Sequence, residues 1–230
     1  MFGEVFAIMF SDISSESTER INQSTLLLGQ IRLLDEESDN AVNELLKIQK
    51  GLFFVSIYAS LEYSIVNSCS KFLSLIESDG LFPMKFKNNL LCILLDPEFN
   101  SVIGCGKKKV WEKKGGLIER IFSEEPVRID NTVFPSDGIN IGKKQLEDVW
   151  KFMHLPGEPI PVGENEWYLG EIKEHRNAIA HGRVTAADVG KRYTYAELEK
   201  RHNFISTLCG HVIGSFEMHM RDHSFLRDSA

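Results

Sequence analysis

The stretch Glu-Ile-Lys-Glu-His-Arg-Asn-Ala-Ile-Ala-His-Gly-Arg, residues 171–183, places Arg176, Asn177 and His181 within two helical turns. On a helix, Asn177 and His181 are one turn apart and share a face, while Arg176 lies further round with a side chain long enough to reach back. Histidine is the side chain best suited to exchange protons near neutral pH. Arginine is always charged and grips phosphate oxygens with two parallel N–H bonds. Such a pair, with no acidic cluster beside it, suits metal-independent phosphodiester chemistry, in which one group moves protons and the other stabilises charge on the phosphate. Ala178, Ile179 and Ala180 between them can face a core, and Gly182 offers a helix stop. His181 then falls in the last turn, where the helix dipole favours positive charge. The bare spacing is also what an amphipathic helix with solvated charges would show.

Other side chains are candidates by type. Lys173 and Arg183 flank the motif and could touch RNA phosphates, or be solvated. His175 is adjacent but is expected to point elsewhere. Glu62, inside an apolar helical stretch, could ion-pair with Arg176 or be a plain surface carboxylate. Lys107, Lys108 and Lys109, with Lys113, Lys114 and Trp111, form the densest basic patch. It reads as a phosphate-binding arm with a stacking aromatic, or as a solvated loop whose Trp docks on the core; the second is the expectation. His219 and His223 are four apart, as metal ligands can be, but no acidic residue completes a set, so an exposed helix end is expected and no metal or cofactor is assigned. Cys69, Cys92, Cys105 and Cys209 contain no Cys-x-x-Cys pair, and no disulfide framework is expected. There is no glycine-rich phosphate loop, serine-hydrolase elbow or dinucleotide fingerprint.

The elements that must position these groups are helical by spacing. Ile21, Leu27, Leu28, Ile31 and Leu34 mark a first helix over 14–36, with a break at 35–40; the apolar first ten residues fit a strand or a docked arm equally. Residues 40–77 carry the longest apolar stripe and read as the central helix of a bundle, ended by Gly80. Gly51 is tolerated inside it at a cost of about 1 kcal/mol relative to Ala. Residues 84–95 read as a third helix, interrupted at Asp96-Pro97. Residues 100–109 read as loop, 111–122 as a short helix, and 145–153 as a helix burying Leu146, Val149, Trp150 and Met153. Residues 127–129 and 139–141 are β-like. Residues 165–180 carry the motif. Thr194-Tyr-Ala-Glu197 is a capping box that opens a last long helix, and 224–230 read as a frayed tail. The fold class is therefore all-α: an up-and-down bundle of four or more helices in a single domain over 1–230. An irregular insertion at about 96–163 has room for a short β-hairpin.

Composition sets outer bounds. The chain has 230 residues, 43% hydrophobic and 26% charged, with a net charge of −7, which argues against a general nucleic-acid binder. The charge is uneven. Residues 1–80 hold 5 basic and 12 acidic side chains, 81–170 hold 12 and 13, and 171–230 hold 9 and 8. An RNA-facing surface would have to come from the middle and the end. The uninterrupted apolar runs are short for a membrane span, and the first residues lack a basic leader, so a cytoplasmic protein with no membrane contact is expected.

Arg-Asn-Ala-Ile-Ala-His-Gly at 176–182, between two helices of an all-α chain, resembles the HEPN superfamily (higher eukaryote and prokaryote nucleotide-binding domains), which is marked by Arg-x4–6-His with a polar residue after the Arg. Tyr58-Ala-Ser-Leu-Glu-Tyr-Ser-Ile-Val66 looks like the second-helix signature of its MAE-type HEPN-like nucleases. The resemblance covers roughly 20–95 and 165–222 in outline. It implies a HEPN-like bundle and an RNA-cleaving toxin or antiviral defence effector, acting on RNA (tRNA and mRNA included) as a homodimer with two motifs facing across a cleft. An antitoxin or a larger defence protein would be a further partner. In that picture His181 is the general acid/base, Arg176 the phosphate clamp and Asn177 the residue that orients the His or the RNA backbone. The ribose 2′-hydroxyl attacks the adjacent phosphate, leaving a cyclic phosphate and a 5′-hydroxyl. Arg183 stands where a related branch has a modifiable Tyr, which makes control by that route doubtful. The alternative is a non-catalytic helical RNA- or nucleotide-binding protein, or an adaptor subunit of a defence complex.

Overall fold

A computed structural model describes residues 9–35, 40–130, 133 and 140–227. The described residues form nine α-helices: α1 (Ser11–Asp35), α2 (Asn40–Ser78), α3 (Asn88–Leu94), α4 (Asp96–Ile103), α5 (Val110–Ile121), α6 (Lys143–Met153), α7 (Trp167–Ala180), α8 (Ala186–Gly190) and α9 (Tyr195–Arg221), with a 3-10 turn at Pro83–Lys85. The chain is all-α among these residues. The β-like 127–129 segment forms no strand; its Val127 N–H instead donates to Leu81 O. Residue 139 of the other β-like piece, residues 1–8 of the apolar start and 36–39 of the first break lie outside the described residues.

The 39-residue α2, about 60 Å long, is the axis. Phe53, Phe54, Ile57, Tyr58, Leu61, Ile65 and Phe72 on it are fully buried. Helix α1 runs antiparallel to it. Ser17 and Ser64 meet through their hydroxyls at 2.8 Å, where two small side chains let the helices approach, and the buried Lys50 ammonium reaches Asp35 at 2.8 Å. Helix α9 closes the other side with Phe204, Ile205, Leu208, Val212 and Phe216. Its start is the expected capping box: Thr194 Oγ1 accepts from Glu197 N–H, and Glu197 Oε2 accepts from Thr194 N–H at 2.8 Å.

Gly51 corrects its sequence reading. A Cβ there would lie 2.0 Å from the Ala186 carbonyl oxygen, and one on Gly190 would lie 1.9 Å from the Lys47 oxygen. Two glycines thus let α8 rest on α2 backbone to backbone. The residue is a requirement of the crossing, not a tolerated flaw.

The insertion divides by burial. Helix α6 joins the core through Leu146, Val149, Trp150 and Met153, as its spacing predicts. Helices α4 and α5 bury no residue fully and pack on each other. Pro97 opens α4, where the first turn tolerates proline, so the helix runs on through Ile103 where a loop is expected. The C-terminal segment is docked rather than frayed. Phe225 is buried against Phe72 and Phe86, and Arg227 donates to the Phe86 carbonyl and to Asn88 Oδ1, both at 2.7 Å. Residues 228–230 lie outside the described residues.

Candidate functional site

The motif lies at the end of α7, and its local structure explains its geometry. His181 is the C-cap and Gly182 follows at φ 67, a left-handed value that glycine adopts without a Cβ clash. Gly182 N–H bonds Ile179 O at 3.0 Å and Arg183 N–H bonds Ala178 O at 2.9 Å, which is the Schellman pattern. The turn that follows carries the chain onto α2 at Gly51, which fixes where α7 ends.

Arg176 is held on several sides. Its Nη2 faces Glu62 Oε2 at 3.3 Å, and its Nη1 donates to Asn177 Oδ1 at 2.9 Å and faces Asn140 Oδ1 at 3.5 Å. The guanidinium carbon sits 4.7 Å over the Tyr58 ring. The Arg176 side chain keeps 22% of its surface exposed and Glu62 30%, so solvent still reaches the pair. The Tyr58 hydroxyl in turn accepts Ile141 N–H at 2.6 Å. Two side chains stacked on one another therefore both hold the 140–141 segment.

Asn177 is buried and its Oδ1 is taken by Arg176. Its side chain thus orients the arginine, while only its backbone carbonyl contacts His181, through the His181 N–H at 3.0 Å. The His181 side chain is exposed and makes no hydrogen bond or ion pair with a described residue. Lys173 lies along Gly142, whose missing Cβ would be 2.9 Å from its Nζ. Arg183 pairs with Glu174 at 3.1 Å on the exposed side.

His175 points away from this cluster. It sits edge-on to Phe54 and bonds the Tyr193 hydroxyl, which donates to Glu171 at 2.7 Å. Because that hydroxyl proton goes to Glu171, His175 Nε2 carries the proton in its own bond. Arg201 completes the group with two bonds to Glu171, at 2.7 and 3.0 Å, in a pair whose side chains are each only 7% exposed. Burial lowers the His175 pKa, and burial together with the Glu171 carboxylate raises that of Tyr193.

Lys107, Lys108 and Lys109 are exposed on the turn before α5. Trp111 is 80% exposed with the Lys114 ammonium 4.8 Å over its ring, so the expected docking of Trp111 on the core does not occur. Helix α5 packs on α4 and on the Pro83–Lys85 turn. His219, expected on an exposed helix end, is fully buried. Its Nε2 donates to Met153 O at 3.0 Å, leaving Nδ1 to accept from Ser224. Among the described residues, no three of His, Cys, Asp and Glu converge as metal ligands would.

The structure thus gathers Arg176, Asn177 and Glu62, leaves His181 open to solvent beside them on the same helix, and places the lysine run on a different helix pair. Sequence reading quoted Tyr58 only as part of the 58–66 segment, without its contact to Arg176, and missed Asn140. Tyr58 is one helical turn before Glu62 and so faces the same way, a signal the spacing does carry. Asn140 has no local signal. Compared with known protein families, with curated proteins and with solved structures, the chain matches none of them.

Proposed function

We propose that the protein is a metal-independent endoribonuclease of the HEPN-like kind, a cytoplasmic RNA-cleaving toxin or defence effector that works as a homodimer. The observation that carries this reading is the contrast between Arg176 and His181. Arg176 is fixed by Glu62, Asn177 and Asn140 with part of its surface open, while His181, in the next turn, is exposed and uncommitted. A phosphate clamp needs preorganised charge, and a proton carrier needs access.

In the proposed reaction the ribose O2′ forms a bond to phosphorus as the bond from phosphorus to O5′ breaks. The 2′-hydroxyl proton goes to one His181, and the leaving O5′ takes a proton from another. Each chain offers one such histidine, and two-fold symmetry supplies the second. Arg176 stabilises the charge that gathers on the phosphoryl oxygens, and Glu62 acts through it as a positioning residue.

The test is cleavage of total RNA and tRNA in the presence of EDTA. His181→Ala is expected to slow it by about 10²–10⁴-fold and Arg176→Ala by about 10²–10³-fold, with the helical circular dichroism of the wild type retained at the assay temperature and, for the exposed His181, its melting as well. The 5′ ends should be hydroxyls. RNA left intact by the wild type, with harmless expression, would overturn the proposal; binding without cleavage would favour the adaptor reading.

A further inference from the structure

Helices α4 and α5 carry apolar side chains that the bundle does not cover. Ile103 is 81% exposed, Trp111 80%, Ile118 53% and Phe122 66%. Along α5, Trp111, Ile118 and Phe122 are spaced by seven and four residues, so they stand above one another on one face, with Gly115 between them. Ile103 ends α4 just before the turn that carries Lys107, Lys108 and Lys109. The pair is firmly held. Arg120 donates to Ser123 Oγ at 2.8 Å and to the Glu125 and Pro126 carbonyls at 3.0 and 2.8 Å, and its Nε faces Glu98 Oε1 of α4 at 3.7 Å. A fixed element therefore presents the exposed face.

The charge around this face is local and mostly positive. From Ile103 to Phe122 there are six basic and two acidic side chains, in a chain whose net charge is −7. Arg120 is committed to the contacts above. Lys107, Lys108, Lys109, Lys113 and Lys114 are all exposed, and none of their ammonium groups makes a hydrogen bond or ion pair with a described residue. Lys114 flanks the apolar stripe, its ammonium 4.8 Å over the Trp111 ring. Glu112 and Glu119 turn to the other flank, into a groove that they share with Glu98.

We infer that the α4–α5 pair docks on an anionic lipid surface. The Trp111–Ile118–Phe122 stripe enters the boundary between headgroups and acyl chains, and the lysines of the adjoining turn meet the lipid phosphates. A bilayer surface is a plane of negative charge over hydrocarbon, so it uses both features at once. Single-stranded RNA would use the lysines and the Trp111 face, but it leaves Ile103 and Ile118 without a role, and Lys114 already covers one face of that ring. A pair lying on the surface needs no apolar run long enough to span the bilayer.

The experiment mixes the full chain, without RNA, with vesicles of phosphatidylcholine alone or of three parts phosphatidylcholine to one part phosphatidylserine, and reads bound protein by co-sedimentation. Binding to the anionic vesicles and not to the neutral ones is expected, and it should weaken as salt screens the lysines. Lys108→Gln should reduce it about five-fold, and the double variant Trp111→Ser, Ile118→Ser about tenfold. Leu26→Ser, at a leucine of α1 that is 73% exposed, is the control and should bind as the wild type does. These positions are all exposed, so the circular dichroism of each variant should match the wild type. In a Trp167→Phe background Trp111 is the exposed tryptophan, since Trp150 is only 4% exposed, and emission should shift to the blue on the anionic vesicles. No binding to the anionic vesicles, binding untouched by the Trp111→Ser, Ile118→Ser change, or unshifted emission from bound protein would each overturn the inference. Retention of polyuridylate through the same lysines, with the vesicles ignored, would overturn it in favour of an RNA-binding arm.

Discussion

Gly51→Ala ought to destabilise this protein although alanine is the better helix former. Alone, the substitution in the interior of α2 would gain about 1 kcal/mol. The new Cβ, however, would lie 2.0 Å from the Ala186 oxygen and 2.6 Å from its carbonyl carbon. Both are backbone atoms well inside ordinary contact, and no rotamer change relieves them. Overpacking of this kind costs about 1–3 kcal/mol, and a backbone neighbour puts it toward the upper end. The net loss is about 1–2 kcal/mol, or a fall in Tm of about 2–8 °C for a chain of this size. Gly190→Ala should fall similarly. The double variant should lose less than the two single losses combined, since one displacement of α8 relieves both clashes. Gly214→Ala on α9 is the control: nothing lies within 4 Å of its Cβ, so it should gain about 0.5–1 kcal/mol. Thermal melts of the four variants beside the wild type decide it. If Gly51→Ala melts higher than wild type, as Gly214→Ala should, the close crossing of α8 on α2 is wrong, and so is the placement of the His181 turn that depends on it.

Three further outcomes follow from buried polar groups. Tyr58→Phe removes the acceptor of the Ile141 N–H, buried and bonded at 2.6 Å, and should cost about 1–3 kcal/mol in urea unfolding; a neutral result would mean that the 140–141 segment is not held there. Glu171→Gln breaks a pair whose partners are each 7% exposed and leaves Arg201 as a buried cation, so a loss of about 3–5 kcal/mol is expected. His219 makes stability pH-dependent. Burial pushes its pKa down to about 4 from 6.5, with the nearby His154 and Lys87 adding to the effect, so the unfolded chain binds the proton more readily than the folded one. Its contribution is full above about pH 6.5 and is lost as pH falls from 6.5 toward 4, by up to about 3 kcal/mol. His219→Gln should flatten the difference between melts at pH 5 and pH 7.5, and an unchanged difference would assign it to other groups.

What the sequence disclosed was what local physics controls. The stripe of α9 and its Thr194–Glu197 cap were legible because spacing and capping act within a few residues. The stripe of α6 was legible for the same reason, although it lies in a segment whose neighbours bury little. Gly51 was misread because its local signature is only a helix penalty, and its purpose lies in Ala186, far along the chain. Trp111 invited a docking assignment because large aromatics are mostly buried, but α4 and α5 are too short to build a core around it. The last residues looked frayed because they are few and include charges, yet Phe225 and Arg227 find an apolar wall and a free carbonyl that only the fold provides. At the site, the Arg176–Glu62 contact could be framed from the sequence as a question of reach. The part played by Asn140 could not.

The faces of α2 explain how one helix both holds the bundle together and seats the candidate site. Phe53, Ile57 and Ser64 look toward α1 and α9 and hold the bundle together. Gly51, Phe54, Tyr58 and Glu62, spaced by three, four and four residues, form a second face that seats α8, His175 and Arg176 in turn. Leu45, Ile48, Leu52 and Val66 lie on the third and are exposed. Glu62 stands where the second face meets the third. A helix this long resists bending over the span of a few turns, so the residue that seats α8 and the residues that aim Arg176 keep a fixed relation to one another. The aim of Arg176 comes from Tyr58 and Glu62 of α2 rather than from the short turn that bears His181.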